Sequence, residues 1–229
     1  MLRPQKKVRK KELKEDALVS SYVKVTTFYE KHKRNISIAT IAVAVVIGGT
    51  LIYLKNRADD DQNAAAQLGQ VFQYYDGGQF QAAIDGVPER SIPGLTSIVE
   101  NFGGSPSGNI ARLYLADAYY QLARYGEALD QFEEMSAGSD LLEVSRLAGV
   151  GGCCEALGRN KEAAAAYEKA ATVDPKHVAA PDNLSQAARN YGLAGDKEKA
   201  VELYMRLKKN YPTSPYAREA ERFIASLAA

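Results

Sequence analysis

The chain has 229 residues, 46% of them hydrophobic, with 29 Lys and Arg against 28 Asp and Glu. The net charge of +1 hides an asymmetry, because residues 1–54 carry a surplus of seven positive charges and residues 55–229 an excess of six negative ones. An acidic main part argues against a nucleic-acid-binding domain, and the only two cysteines, Cys153 and Cys154, are adjacent, which argues against a disulfide framework.

In chain order, residues 1–10 form a basic tail with little apolar content. From Lys11 to Lys33 the residues Leu18, Tyr22, Val25, Tyr29 and His32 recur at helical spacing, with Leu13 one turn upstream. This predicts an amphipathic helix in a membrane interface, joined at Asn35 to the next segment. A docking helix for a cytoplasmic partner would carry the same stripe. Ile36 to Leu54 then runs nineteen residues without an ionisable side chain. At about 1.5 Å per residue such a helix spans about 28 Å, close to the thickness of a bilayer core, and in lipid a lone segment satisfies its backbone only as a helix.

Eleven Lys and Arg precede this stretch against four acids, whereas Lys55 and Arg57 are followed by Asp59, Asp60 and Asp61. The positive-inside rule therefore predicts a cytoplasmic N-terminus and a translocated C-terminal part, which in a bacterium means an inner-membrane anchor and a periplasmic domain. The long leader, and the Asn-Arg-Ala-Asp-Asp-Asp sequence behind the stretch, favour a retained anchor over a cleaved signal. A buried helix of a soluble core would show a polar face. Thr40, Ala44 and Gly48 recur every fourth residue and predict a smooth ridge for packing inside the membrane.

Ala58 to Asp76 carries Leu68, Val71, Phe72 and Tyr75 at helical spacing and is stopped by Gly77-Gly78. A partner helix begins at Gln79, is interrupted by VPERSIPG, and continues from Leu95 to about Asn101. FGGSPSGN reads as a turn, with Asn109 capping a helix that starts at Ile110. Three segments then repeat: Leu115 to Met135, Val150 to Pro175 and Ala187 to Pro212. Their alignment superposes Ala128, Ala163 and Ala200, then Phe132, Tyr167 and Tyr204, at intervals of 35 and 37 residues, and places Pro175 over Pro212. Two helices per period of this size predict a helical solenoid, in which each pair buries its apolar face only against its neighbours. Tyr216, Ala220, Phe223 and Leu227 mark a terminal capping helix.

These residues resemble the tetratricopeptide repeat family over residues 110–229, most closely at Ala163, Tyr167, Ala170 and Pro175 and at Ala200, Tyr204 and Pro212. There are departures: the chain has no Trp, Met135 and Asp140 stand where Ala and Pro are usual, and the first unit, with Phe80 and Ala83, is broken by its insertion. With the leader and the apolar stretch, the resemblance completes an expected all-α fold: an N-terminal amphipathic helix and a single transmembrane helix followed by a TPR-like α-solenoid of about four helix pairs and a capping helix. The expected divisions are 1–35 for the basic tail and interfacial helix and 36–54 for the transmembrane helix. A divergent first helix pair with its insertion follows at 55–108, the repeats at 109–214 and the cap at 215–229. The basic leader, the single span and the turn at Gly103-Gly104, Gly108-Asn109 and Ala111 also resemble bacterial membrane-anchored tetratricopeptide proteins, a group that includes the ancillary subunit of the SecYEG translocon. That likeness implies work near protein translocation or envelope protein folding, with a translocon, a chaperone or another membrane complex as partner and lipid contacts through the leader.

Motifs for chemistry are sparse. His32 and His177 fall on opposite sides of the expected membrane, and no metal-ligand spacing is present. Gly149-Val150-Gly151-Gly152 lacks the last glycine of a dinucleotide loop and has no strand before it, so it reads as a helix face built for close packing; Cys153 and Cys154 read as small buried packing residues. No enzymatic activity, cofactor, metal, nucleic acid or small-molecule substrate is expected. The face lined by the first helix of each unit is the candidate partner-binding groove: Phe72, Tyr75, Tyr114, Asp117, Tyr120 and Gln121, then Gly152, Glu155, Gln186 and Arg189. Such an aromatic, mostly uncharged surface suits a peptide, and the same tyrosines would serve equally to pack beneath neighbouring helices. The expected function is a membrane-tethered scaffold for protein partners. The alternative is a structural subunit held in a larger complex through Thr40, Ala44, Gly48 and the leader helix.

Overall fold

The computed structural model describes residues 10–228, with the side chains of 19–225. The basic tail before Lys10 and the side chains of Leu13, Leu18 and Leu227 lie outside the described part. The chain divides into two units, Met1–Asn56 and Arg57–Ala229.

The first unit is helical from Lys10, and its helix, α1, is a single element with bounds Lys10–Asp76. No junction occurs at Asn35, which is a correction to the sequence reading. Residues 10–47 contain neither Gly nor Pro, and Asn inside a helix costs less than about 0.7 kcal/mol, too little to end one unaided. Nor does a new helix begin at Ala58, because α1 continues through it. The hydroxyls of Thr26, Thr27, Thr40 and Thr50 donate to the carbonyls of Tyr22, Val23, Ile36 and Val46 at 2.6–2.9 Å, so they find partners within the helix. Ile41, Val43, Val46, Ile47, Leu51 and Ile52 point to all sides of α1 and are 55–67% exposed. This is the one helix among the described residues long and apolar enough to cross a membrane.

The second unit opens with the last turns of α1, whose Ala64, Val71 and Tyr74 are buried in the first core cluster. Two short helices follow, α2 (Phe80–Asp85) and α3 (Leu95–Phe102), separated by a hairpin of two-residue strands, β1 (Gly86–Val87) and β2 (Ile92–Pro93). The hairpin pairs Gly86 with Pro93 and Val87 with Ile92. The insertion is thus an ordered clip: Gly86 has φ +87, and a Cβ there would meet the Ile92 carbonyl oxygen at 2.6 Å. Helix–turn–helix pairs then follow in α4 (Pro106–Gln121) with α5 (Tyr125–Glu134), α6 (Asp140–Ala156) with α7 (Asn160–Val173), and α8 (Ala180–Leu193) with α9 (Lys197–Asn210). The last helix, α10 (Pro215–Ala228), packs against α8 and α9.

The start of α4 departs from the sequence reading. Ser105, not Asn109, is the N-cap, with Pro106 in the first turn. Proline has no N–H to satisfy, the Ser107 N–H donates to Asp61 at 2.6 Å, and the Gly108 N–H donates to Ser105 Oγ at 3.0 Å. Asn109 is buried inside the helix and exchanges two hydrogen bonds with the Ser136 backbone at 2.9 and 3.0 Å, fixing the end of α5.

The turn inside each helix pair is the same device repeated. Gly78, Ala123, Gly158 and Gly195 all take positive φ, and each sits in a pair of reversed hydrogen bonds. The Gly78 and Gln79 N–H groups reach the carbonyls of Tyr75 and Tyr74, and the same pattern recurs from Ala123 and Arg124, from Gly158 and Arg159, and from Gly195 and Asp196. This is the Schellman ending, which favours glycine because a Cβ strains the left-handed conformation. Ala123 carries that strain.

Between helices, small residues admit rings. Ala128, Ala163 and Ala200 are fully buried. A Cβ on Gly149 would collide with the Phe132 ring, and one on Gly151 would stand 2.9 Å from the Tyr167 ring. Tyr204 is stacked on Phe223 of α10 at 5.3 Å. Cys153 and Cys154 are buried free thiols in the third core cluster; burial pushes the Cys153 thiol up to about 12, with the neighbouring Cys154 adding to the effect.

Two stability outcomes follow, both read by thermal or denaturant melts. Ala123→Gly removes left-handed strain and should stabilise by about 1 kcal/mol. Gly149→Ala and Gly151→Ala should each cost about 1–3 kcal/mol through overpacking. Gly152→Ala, with its nearest neighbour at 3.4 Å, should be neutral or stabilising by up to about 1 kcal/mol.

Candidate partner-binding groove

The four equivalent turns give the register of the inner face. Counting back from each left-handed residue aligns Tyr75 with Tyr120, Glu155 and Gly192, and one turn earlier Phe72 with Asp117, Gly152 and Arg189. Another turn back, Tyr114 aligns with Gly149 and Gln186. All the candidate residues except Gln121 thus fall on corresponding positions of α1, α4, α6 and α8.

They form two hydrogen-bonded groups. In the first, the Tyr75 ring meets Tyr114 edge-on at 4.8 Å and Phe80 at 5.6 Å, while Phe72 contacts Tyr114 at 5.4 Å. The Tyr75 hydroxyl donates to Asp117 Oδ2 at 2.5 Å, and the Gln121 amide reaches the same carboxylate at 3.4 Å. Burial raises the Tyr75 phenol, and the hydrogen bond to Asp117 and its charge raise it further, so the phenol stays protonated as a donor. In the second group, Arg189 and Asn190 both donate to Glu155 Oε2, at 2.5 and 2.8 Å, and Gln186 Oε1 accepts from Arg189 at 2.8 Å. Burial alone would raise the Glu155 carboxyl, yet the hydrogen bonds from Arg189 and Asn190 and the guanidinium charge outweigh it and hold the group below the ordinary glutamate value.

Tyr120 lies between the two groups, its ring against Tyr125 at 5.2 Å. Burial raises its phenol, and the charges of Glu155 and Asp117 both act on it. The floor beneath is Gly152, where an added Cβ would stand 3.6 Å from the Tyr120 hydroxyl and 3.5 Å from that of Tyr167. Two phenols therefore converge over a residue without a side chain. The sequence analysis aligned Tyr167 with Phe132 and Tyr204 and missed this second role, although the adjacent Gly151 and Gly152 on the facing helix leave the space its ring and hydroxyl occupy. Asn190, Asp182 and Tyr216 were missed as well: Asp182 accepts from Gln186 at 3.4 Å, and its charge raises the Tyr216 phenol. The tyrosines both pack and line, since Tyr75, Tyr114, Tyr120 and Tyr167 are each partly buried.

Thr40, Ala44 and Gly48 share one face of α1, and a Cβ on Gly48 would meet no atom within 4 Å. An open cleft of about 820 Å³ lies where the α7–α8 and α9–α10 connections meet, lined by Pro175, His177, Pro181, Tyr211 and Pro212, with Asp182 and Tyr216 shared with the groove. Among the described residues, no three His, Cys, Asp or Glu side chains are grouped to hold a metal ion.

Comparison with known proteins bears on the fold. Two family models described as tetratricopeptide repeat match the chain, one at residues 148–177 and the other at 182–214. They cover the second half of α6 with α7, and α8 with α9, and the second unit is a TPR-like α-solenoid in a chain that is all-α. No curated protein matches the sequence. Among solved structures, a Podosopora anserina protein described as a putative kinesin light chain with nearly identical TPR-like repeats, and a point variant of it, each superpose with a TM-score of 0.52 at 18% identity, covering 71% of this chain and 83% of theirs. At that identity the likeness is one of fold.

The depressed carboxyls set a pH dependence. Hydrogen bonds from Ser107, backbone first, lower Asp61, and Glu155 is lowered as described. A carboxyl whose folded value lies below its unfolded one contributes stability that is complete above the unfolded value, about 3.9 for Asp and 4.3 for Glu, and is lost as pH falls through the folded value. Melting temperature should therefore drop as pH falls below about 4, and the Asp61→Ala, Glu155→Gln double variant should show a shallower drop in the same titration. Asp61→Ala alone should cost about 1 kcal/mol at neutral pH through loss of the acceptor for the Ser107 N–H in the first turn of α4.

Proposed function

We propose that this chain is a membrane-tethered scaffold whose inner solenoid face binds protein partners. The observation that carries the reading is the run of partly buried tyrosines along the inner face, Tyr75, Tyr114 and Tyr120 on the first helices α1 and α4, with Tyr120 and Tyr167 of α7 converging over Gly152. Rigid aromatic rings give contact area at low entropic cost, and hydroxyls aimed at a shared space give polar recognition. The tether is supported by α1: apolar side chains exposed around the whole helix cost about 25 cal/mol per Å² in water and nothing of the kind in lipid. The excess of Lys and Arg before Ile36 supports a cytoplasmic N-terminus and an extracytoplasmic array at a bacterial inner membrane, and the basic leader suits anionic headgroups. The likeness in layout to the SecYEG ancillary subunit supports clients near translocation or envelope folding, such as a translocon, a chaperone or another membrane complex.

A second reading, a structural subunit held through its helix in the membrane, has support in the Thr40, Ala44, Gly48 ridge. The Thr40 hydroxyl is folded back onto Ile36 at 2.8 Å, which leaves the ridge smooth. Photo-crosslinking on the full chain in its own membranes separates the two. A crosslinking residue at Gln121 or Tyr114 should give protein adducts absent from the same residue at exposed Lys161 on α7. Adducts from Ala44 alone, with none from Gln121 or Tyr114, would sink the groove reading in favour of the structural one.

A further inference from the structure

We infer that the groove takes a basic polypeptide segment, its Lys or Arg side chains seated between Asp117, Glu155 and Asp182; this rests on the reading of that face as a partner-binding surface. The three carboxylates stand on α4, α6 and α8, each beside a phenol: Asp117 at Tyr75, Glu155 near Tyr120 and Tyr167, and Asp182 at Tyr216. Among the groove residues the cation is Arg189, bonded to Glu155 at 2.5 Å. Lys176 lines the cleft that shares Asp182, so three carboxylates face two cations and the face keeps a net negative charge. Asp117 and Asp182 are held by neutral donors, Asp117 by the Tyr75 phenol and the Gln121 amide and Asp182 by the Gln186 amide.

Two further features fit a cation with N–H donors. Tyr120 and Tyr167 present phenol rings and hydroxyls to the same space over Gly152, and aromatic faces attract Lys and Arg. Behind Glu155, Asn190 is fully buried, donates Nδ2 to that carboxylate, and leaves Oδ1 with no hydrogen-bond partner among the described residues. A buried acceptor without a partner is costly. On a larger scale, residues 55–229 carry six more acids than bases, so a basic segment is also steered toward this unit.

The test uses the full chain in neutral detergent micelles and three fluorescent peptides matched in length and in Leu and Tyr content, bearing Lys, Gln or Glu at the same positions. Affinity is read by fluorescence anisotropy, and location by photo-crosslinking from Gln121. The Lys peptide should bind about tenfold more tightly than the Gln peptide and weaken with added salt. Asp117→Asn and Asp182→Asn should each loosen it about threefold, as for a partly exposed ion pair, while keeping an acceptor for Tyr75 and Gln186. Arg189→Gln should tighten it, whereas general damage to the fold would loosen it. Peptides that crosslink from Gln121 without preference for Lys would overturn the basic-segment inference and leave the groove standing. Failure of every peptide to crosslink from Gln121 would overturn both. A Lys preference indifferent to Asp117→Asn and Asp182→Asn would put the attraction elsewhere and overturn the inference.

Discussion

The array depends on rings seated against glycine. Phe132 of α5 lies on Gly149 and Tyr167 of α7 lies on Gly151, both on α6, at separations that leave no room even for a methyl group. The contacts bring α5, α6 and α7 into one layer, and the fully buried Ala128, Ala163 and Ala200 extend the same logic along the unit. Protein interiors are packed too densely for such a ring to sit elsewhere without leaving a void. One consequence reaches function directly. With Tyr167 held flat on Gly151, its hydroxyl projects past Gly152 toward that of Tyr120, and the groove acquires its floor.

The inner face is built as a grid because the turns repeat. Four Schellman endings stop the first helix of each pair in the same way, so residues three and six positions before the left-handed turn occupy matching places on α1, α4, α6 and α8. The chain fills corresponding positions with different chemistry: Phe72, Asp117, Gly152 and Arg189 in one row, Tyr75, Tyr120, Glu155 and Gly192 in the next. A repeated scaffold with varied rows is what allows one fold to bind unrelated clients, and here the variation places aromatic contact at the α1–α4 end and paired charges at the α6–α8 end.

Much of this was legible in the sequence, where the signal was local or periodic. The apolar stretch from Ile36 to Leu54 and the 35- and 37-residue recurrence of Ala128, Ala163 and Ala200 need no tertiary knowledge. The α2 and α3 segments also fall where hydrophobic spacing puts them, although nothing in VPERSIPG declared a hairpin. What was missed depends on distant partners. Asn109 has the right chemistry for a cap, but its side chain is engaged by Ser136, and the α4 terminus is satisfied instead by Ser105 and by Asp61, the latter 46 positions before Ser107. Asn35 was expected to mark a junction, yet a residue of mild helix preference cannot end a helix that lacks Gly or Pro around it. Ala123 was readable in principle, because it aligns with Gly158 and Gly195 at the same intervals as the buried alanines.

The central claim is that recognition lies on the inner face and that α1 supplies location. Two glycines allow a symmetrical comparison, Gly152 on the groove floor and Gly48 on the ridge of α1, each replaced by Leu in the full chain. The measurement is quantitative mass spectrometry of proteins recovered with each variant after crosslinking in native membranes, with circular dichroism to confirm that both remain folded. Gly152→Leu is expected to lose the partners recovered with the unaltered chain, and Gly48→Leu to retain them. Retention with Gly152→Leu together with loss from Gly48→Leu would contradict the account and assign recognition to the helix in the membrane.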